Sequence, residues 1–197
     1  YDIDAASATF GQGITITPIQ MIQAMTAITN NGEILKPYFV KKIIATDSGE
    51  VNYEAGKEVV EQVASNKTVD KIKELMASVV CEDSKECTVS AYYLKDNQIL
   101  GKTGTAQIYN EKAGTYMKGD SDYVYSFAGI YPKDEPQIII YSALKRPKDT
   151  TNYIAPAVKD VVVNVSKYLN IVSVPDKVIV YKVDNYFITH RIIEINE

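Results

Sequence analysis

The chain has 197 residues, 46% of them apolar and 23% charged. That profile is globular, long enough to bury roughly 70% of the unfolded surface, and it excludes wholesale disorder and collagen-like repeats. Lys and Arg number 21 against 25 Asp and Glu, a net charge of −4 that argues against nucleic acid as a partner. No apolar run reaches the ~18 residues of a membrane span. The chain opens on Tyr1, with no signal-peptide pattern after it, and so reads as a piece of something longer.

The first clear element is a helix over residues 17–31. Thr17 is a good N-cap, Pro18 fits the first helical position and Gln20 completes a capping box. Ile19, Ile22, Met25 and Ile28 recur near helical spacing, Met21 widens the face, and Asn30-Asn31-Gly32 is a stop signal. Residues 38–46 read as a short strand, followed by the turn Asp47-Ser48-Gly49-Glu50. A second helix is expected from Thr68 to Val80, with Val69, Ile72, Leu75, Met76, Val79 and Val80 along one face. The polar stretch from Cys81 to Cys87 ends it. Two cysteines are too few for structural zinc, and no His lies near. A loop disulfide and a pair of free thiols both fit the spacing.

Three strands follow, at about 98–108, 123–131 and 137–145. Tyr131-Pro132-Lys133-Asp134-Glu135-Pro136 joins the last two as a hairpin loop, so the pairing should be antiparallel. Ile138-Ile139-Ile140-Tyr141 is apolar on both faces, as in a central strand covered on both sides. A third helix is expected over about 154–169, with Ile154, Val158, Val161, Val162, Val165, Tyr168 and Leu169 inward. A hairpin of 178–183 and 186–189 closes the chain. Strands packed on helices that do not alternate with them imply an α+β fold with an antiparallel sheet flanked by helices.

One segment carries chemistry: Gly101-Lys102-Thr103-Gly104-Thr105-Ala106-Gln107. As the tail of a phosphate-binding loop it would need Gly at position 96, where Asp96 stands, and a helix after it, where no helical period follows. As a K-T-G strand it makes one wall of a cleft in penicillin-recognising serine enzymes. Lys102 supplies fixed positive charge for a substrate carboxylate. The hydroxyls of Thr103 and Thr105 can donate to that carboxylate, Gly104 admits a close substrate backbone, and a free backbone N–H at a strand edge can serve an oxyanion.

The surroundings sharpen a three-letter match. Phe10-Gly11-Gln12-Gly13-Ile14-Thr15-Ile16-Thr17-Pro18-Ile19-Gln20, the Asn30-Asn31-Gly32 stop and Lys36-Pro37 come first, then Gly101 to Gln107. Phe127-Ala128-Gly129-Ile130-Tyr131-Pro132 with Glu135-Pro136, and Ala155-Pro156, follow in order. Residues 1–171 thus resemble the C-terminal part of the transpeptidase domain of class B penicillin-binding proteins, the division-type D,D-transpeptidases. Residues 172–197 are left as a tail or a link to a further module.

The resemblance implies a peptidoglycan D,D-transpeptidase on the extracytoplasmic face of a bacterial membrane, anchored by a segment outside this chain. Its partners would be stem peptides, β-lactam antibiotics, the upstream part of the same protein and division proteins; it implies no cofactor and no metal. Lys102 would be the electrostatic anchor, Thr103 and Thr105 the carboxylate binders, the Thr105 N–H half of an oxyanion hole, Gly104 the point of close approach and Gln107 part of the rim. The family's S-x-x-K and S-x-N motifs lie upstream of Phe10, and this chain starts after them. Ser142-Ala143-Leu144-Lys145 fits S-x-x-K by letters only, since in a strand its Ser and Lys face opposite ways. A β-lactam-sensing receptor and a non-catalytic scaffold piece of a cell-division protein are the alternatives. His190, the one histidine, is expected to be a bystander, and the carboxylates Glu111, Asp120 and Asp122 to be solvated.

Overall fold

The computed structural model describes residues 2–9, 11, 13–83, 85–95, 98–119, 121–147 and 154–171, and the backbone of 181–183 and 186–188. A helix that the sequence pattern did not announce, α1 (Asp2–Ala8), comes first. Helix α2 (Pro18–Thr29) follows with both halves of its capping box formed: Gln20 N–H donates to Thr17 Oγ1 at 3.4 Å and Thr17 N–H to Gln20 Oε1 at 2.8 Å. Past the C-cap, Asn31 and Gly32 take positive φ of 55° and 92°. Gly32 is also obligatory on space, because a Cβ there would overlap the Ala64 carbonyl.

Four short strands come next: β1 (Glu33–Leu35), β2 (Lys42–Ile44), β3 (Val51–Glu54) and β4 (Val59–Gln62). They pair as two antiparallel ribbons, β1 with β4 and β2 with β3. The strand expected at 38–46 therefore shrinks to three residues. Pro37 precedes it, Phe39 is 92% exposed, and the turn at Asp47 closes through Gly49 at φ +71°. β1 and β4 are too short to show a period of two, and the sequence reading missed both.

Helix α3 (Asn66–Ala77) starts two residues earlier than expected, capped by Ser65 Oγ accepting from Thr68 N–H at 3.2 Å. It also ends earlier. Gln98 Nε2 donates to the Ala77 and Val80 carbonyls, both at 3.0 Å, so Val79 and Val80 leave the helix and Val80 bridges to Val89. Val69 and Met76 are buried, but Leu75, counted on the same face, is 59% exposed. At ~100° per residue it stands at the margin of the apolar stripe.

The main sheet is built from β5 (Leu100–Gln107), β8 (Tyr123–Tyr131) and β9 (Ile138–Lys145), all antiparallel. Between β5 and β8 a small hairpin rises, β6 (Tyr109–Asn110) and β7 (Thr115–Tyr116). The strand order is β5-β8-β9. The expectation that Ile138–Tyr141 forms a central strand is corrected: β8 is central, and β9 is an edge among the described residues. The apolar run in β9 is explained by cover rather than by position, since Ile139 packs with Met21, Met25 and Ile28 of α2 on one face. On the other face Ile138, Ile140 and Leu144 pack with α4 (Ile154–Tyr168).

Helix α4 buries Ile154, Ala155, Val158, Val162 and Ser166, one every three or four residues. Val161, Tyr168 and Leu169, expected inward, are exposed, and Ser166 takes an inner place because its hydroxyl donates back to the Val162 carbonyl at 2.6 Å. Strands β10 (Tyr181–Val183) and β11 (Tyr186–Ile188) pair antiparallel, as the hairpin reading expects. His190, Phe10, Gln12, Asp96, Asp120 and the Asp184-Asn185 turn lie outside the described residues.

Candidate active site

The motif Gly101–Gln107 fills β5, which has β8 on one side and nothing on the other among the described residues. The register fixes which backbone groups are free. Ile108 N–H donates to the Asp122 carbonyl at 3.0 Å, in line with pairs such as Gly104↔Ser126. Antiparallel bonding alternates, so the even residues of β5 bond to β8. Gly101, Thr103, Thr105 and Gln107 then point N–H and C=O to the open edge. The Thr105 N–H is thus a free, outward donor, as an oxyanion contact needs. Lys102 is exposed and its Nζ donates to the Thr103 carbonyl at 2.8 Å, which brings the ammonium to the same open edge. The hydroxyls of Thr103 and Thr105 have no protein partner among the described residues. One positive charge, two hydroxyls and outward N–H groups therefore converge on about three residues of strand, roughly 10 Å.

The strand's support differs along its length. Thr103 lies opposite Phe127, and Phe127 stacks on Tyr92 with ring centroids 3.7 Å apart and planes within 7°. Both rings are buried. Burial pushes the Tyr92 phenol up to about 12 by penalising its anion, so it is neutral beneath the motif. Farther along, Thr105 and Gln107 lie opposite Tyr125 and Tyr123, whose rings sit 6.1 Å apart.

Gly104 has a reason inside the protein as well as any toward a substrate. A Cβ there would lie 2.6 Å from Ser126 Oγ on the neighbouring strand. Ser126 shares a sheet face with Lys102 and Gly104, and sequence reasoning missed it. Counting the register across the two strands would have found it.

Ser142 and Lys145 do not form a nucleophile pair. They lie on β9, with β8 between them and the motif, and they pair with Phe127 and Val124 on opposite faces. Cys81 and Cys87 are joined as a disulfide with Cα atoms 5.8 Å apart, just before the segment that carries Tyr92. Asp122 is not the solvated carboxylate expected from the sequence. Its Oδ1 lies 3.1 Å from Arg146 Nη2 and its Oδ2 accepts from Gly119 N–H at 3.1 Å.

Residues 1–164 match the family of the penicillin binding protein transpeptidase domain. The chain belongs to that family. Stage V sporulation protein D of Bacillus subtilis is 31% identical over 166 residues, covering 84% of this chain and 24% of that protein. The penicillin-binding protein PbpB of Mycolicibacterium smegmatis is 34% identical over 141 residues, covering 70% of this chain and 21% of that protein. Among solved structures, penicillin binding protein 2X from Streptococcus thermophilus superposes with a TM-score of 0.74 at 31% identity, over 83% of this chain and 25% of that one. Penicillin binding protein 3 of Mycobacterium tuberculosis, complexed with aztreonam, gives 0.74 at 28% identity, over 84% and 38%. The fold is that of penicillin-binding transpeptidase domains. The chain spans about a quarter of the length of these curated relatives.

Proposed function

We propose that this chain is part of a peptidoglycan D,D-transpeptidase, and that it carries the K-T-G wall of the active site without the serine nucleophile. The observation that supports this most is the open edge of β5, where the Thr105 N–H and the Lys102 ammonium face outward on a transpeptidase-family sheet. In this reading a serine from an upstream S-x-x-K attacks the penultimate D-Ala carbonyl of a stem peptide. The tetrahedral oxyanion accepts from the Thr105 N–H, and terminal D-Ala leaves as the acyl-enzyme forms. An amine of a second stem then takes the acyl group and frees the serine. Lys102, Thr103 and Thr105 hold the substrate's terminal carboxylate, Gly104 keeps the strand surface low, and Gln107 shapes the rim. β-Lactams would acylate the same serine.

Residues 1–171 would then be the C-terminal part of the catalytic domain and 172–197 a tail or link. The domain would work outside the cytoplasmic membrane, held by an anchor elsewhere in the protein and alongside division proteins. No helix among the described residues is long and apolar enough to cross a membrane.

The test is intact mass after exposure to a labelled penicillin. The chain alone should take no adduct, and the complete protein should take one, on a serine outside this chain. In the complete protein Lys102→Ala should slow acylation by roughly 10²-fold, the scale seen when a preorganised electrostatic contact is lost. An adduct on Ser142 would overturn this reading. A stable adduct with no turnover of peptide would favour the receptor, and unaffected growth with Lys102→Ala the scaffold.

A further inference from the structure

Ile108, Met117, Gly119 and Arg146 meet at the base of the β6–β7 hairpin, and Asp122 touches three of them, Ile108 and Gly119 through its backbone and Gly119 and Arg146 through its carboxylate. Asp122 accepts from Ile108 N–H through its carbonyl at 3.0 Å and donates its own N–H to the Gly119 carbonyl at 2.9 Å. Its side chain accepts from Gly119 N–H and pairs with Arg146. Ile108 in turn accepts from Met117 N–H at 2.8 Å. Arg146 is the residue after β9; its N–H donates to the Tyr123 carbonyl at 2.9 Å and its Nη2 lies 2.9 Å from the Met117 sulfur. The chain holds Arg146 at φ +52°, a left-handed conformation unusual for a long side chain. A Cβ at Gly119 would lie 2.6 Å from Asp122 Oδ2, so a side chain there would displace that carboxylate from its contact. The pair is half sheltered, with side-chain exposures of 49% for Arg146 and 17% for Asp122.

The hairpin so fixed is the direct continuation of the motif strand. Tyr109 is four residues past Thr105, on the order of 13 Å along the chain. Tyr109 and Tyr116 meet edge to face across the hairpin at 5.3 Å and 74°, and both are exposed. A ligand lying along the open edge from Lys102 toward Gln107 therefore runs into this hairpin with whatever group it carries beyond the reacting carbonyl.

We propose that Asp122 and Arg146 are positioning residues that hold the β6–β7 hairpin at the end of the motif strand, and so set selectivity for the acyl-side group of the stem peptide or β-lactam. This rests on the transpeptidase reading. The charge pair touches no ligand; it acts through Gly119, Met117 and Ile108 on where Tyr109 and Tyr116 stand.

The experiment compares acylation of the complete protein by benzylpenicillin and by 6-aminopenicillanic acid, which lacks the acyl side chain. Arg146→Met should lower the ratio of the two second-order rate constants roughly fivefold, the scale of a partly screened ion pair. Arg146→Lys, which keeps the charge, should restore part of that ratio. Asp122→Asn, which keeps the Gly119 contact, should lower it as Arg146→Met does, and it carries the test if Arg146→Met shows no folding transition. Equal losses with both penicillins, or no loss with either, overturn the inference and leave the transpeptidase reading standing. A wild-type protein that neither penicillin acylates overturns both.

Discussion

The ring of Phe127 occupies the space that a side chain at Gly101 would need, and also space that a side chain at Gly129 of its own strand would need. Phe127 is fully buried and stacked on Tyr92, so the motif strand rests on two aromatic rings next to Lys102. Phe127→Ala should cost about 3–5 kcal/mol of unfolding free energy in the complete protein. Gly101→Ala should cost about 1–3 kcal/mol by overpacking. The two are coupled: Gly101→Ala made in a Phe127→Leu background should cost less than in the wild type, by more than about 0.5 kcal/mol. Denaturant titration of the four proteins measures this, and strict additivity would show that the ring does not bear on the glycine.

Tyr92 gives the stability an alkaline limit. Its folded pKa is pushed up to about 12 by burial, against 10.0 for the ordinary phenol. The folded state keeps the proton where the unfolded chain loses it. The stability contribution is therefore whole below pH 10 and is lost as pH rises from 10 toward 12. The full loss is roughly 2–3 kcal/mol. Tyr92→Phe should flatten the fall in stability across this window, as followed by thermal unfolding at stepped pH. An identical alkaline fall in the variant would assign the effect to other groups.

The Cys81–Cys87 bridge closes a loop with a sequence separation of 6 between α3 and the Tyr92 segment. A loop that short constrains the unfolded chain by about 2 kcal/mol. Replacing both cysteines by serine should lower stability by about that amount, with the far-ultraviolet spectrum unchanged. Reducing agent should reproduce the loss in the wild type and have no effect on the variant.

What the sequence made legible was local. Thr17, Pro18 and Gln20 announced α2 through hydrogen bonds spanning three residues, and all of them form. The β8–β9 hairpin was legible because Pro132 and Pro136 bracket its loop and the flanking runs are apolar. The α+β class followed from such pieces. What failed depends on contacts between distant residues. Sheet order put β8 rather than β9 in the centre because β5 returns to pair with β8. The roles of Ser126 beneath Gly104 and of Arg146 beside Asp122 exist only once the register joins those strands. Within residues 33–62 the turn at Asp47 and the core of β2 were legible, but β1, β4 and the shortness of β2 were not, because three- and four-residue strands carry no measurable period. The motif itself was legible as chemistry and a free edge N–H at Thr105 was expected from the family resemblance, while the register that turns that N–H outward was not legible.

That edge yields the sharpest test of the site. Proline removes a backbone N–H, and within a sheet it is tolerated where that N–H points away from the ladder. On β5 the residues bonded to β8 are Leu100, Lys102, Gly104 and Ala106, as the Ile108–Asp122 bond and the unbroken register require. Thr105→Pro therefore deletes an outward N–H donor and no sheet bond, with Thr105→Val as the control for the hydroxyl lost with it, whereas Ala106→Pro deletes a sheet bond and no outward donor. The two variants should separate in opposite senses. Thr105→Pro should keep most of its stability and lose roughly 10²–10³-fold in acylation rate, the scale of one oxyanion-hole donor. Ala106→Pro should lose stability first, by about 1–3 kcal/mol, the scale of a backbone group left without its ladder partner. Penicillin acylation rates and denaturant midpoints on the complete protein decide it. A Thr105→Pro protein that is acylated at the wild-type rate would remove both the Thr105 N–H and its hydroxyl from the chemistry and leave Lys102 and the Thr103 hydroxyl to account for the strand's role.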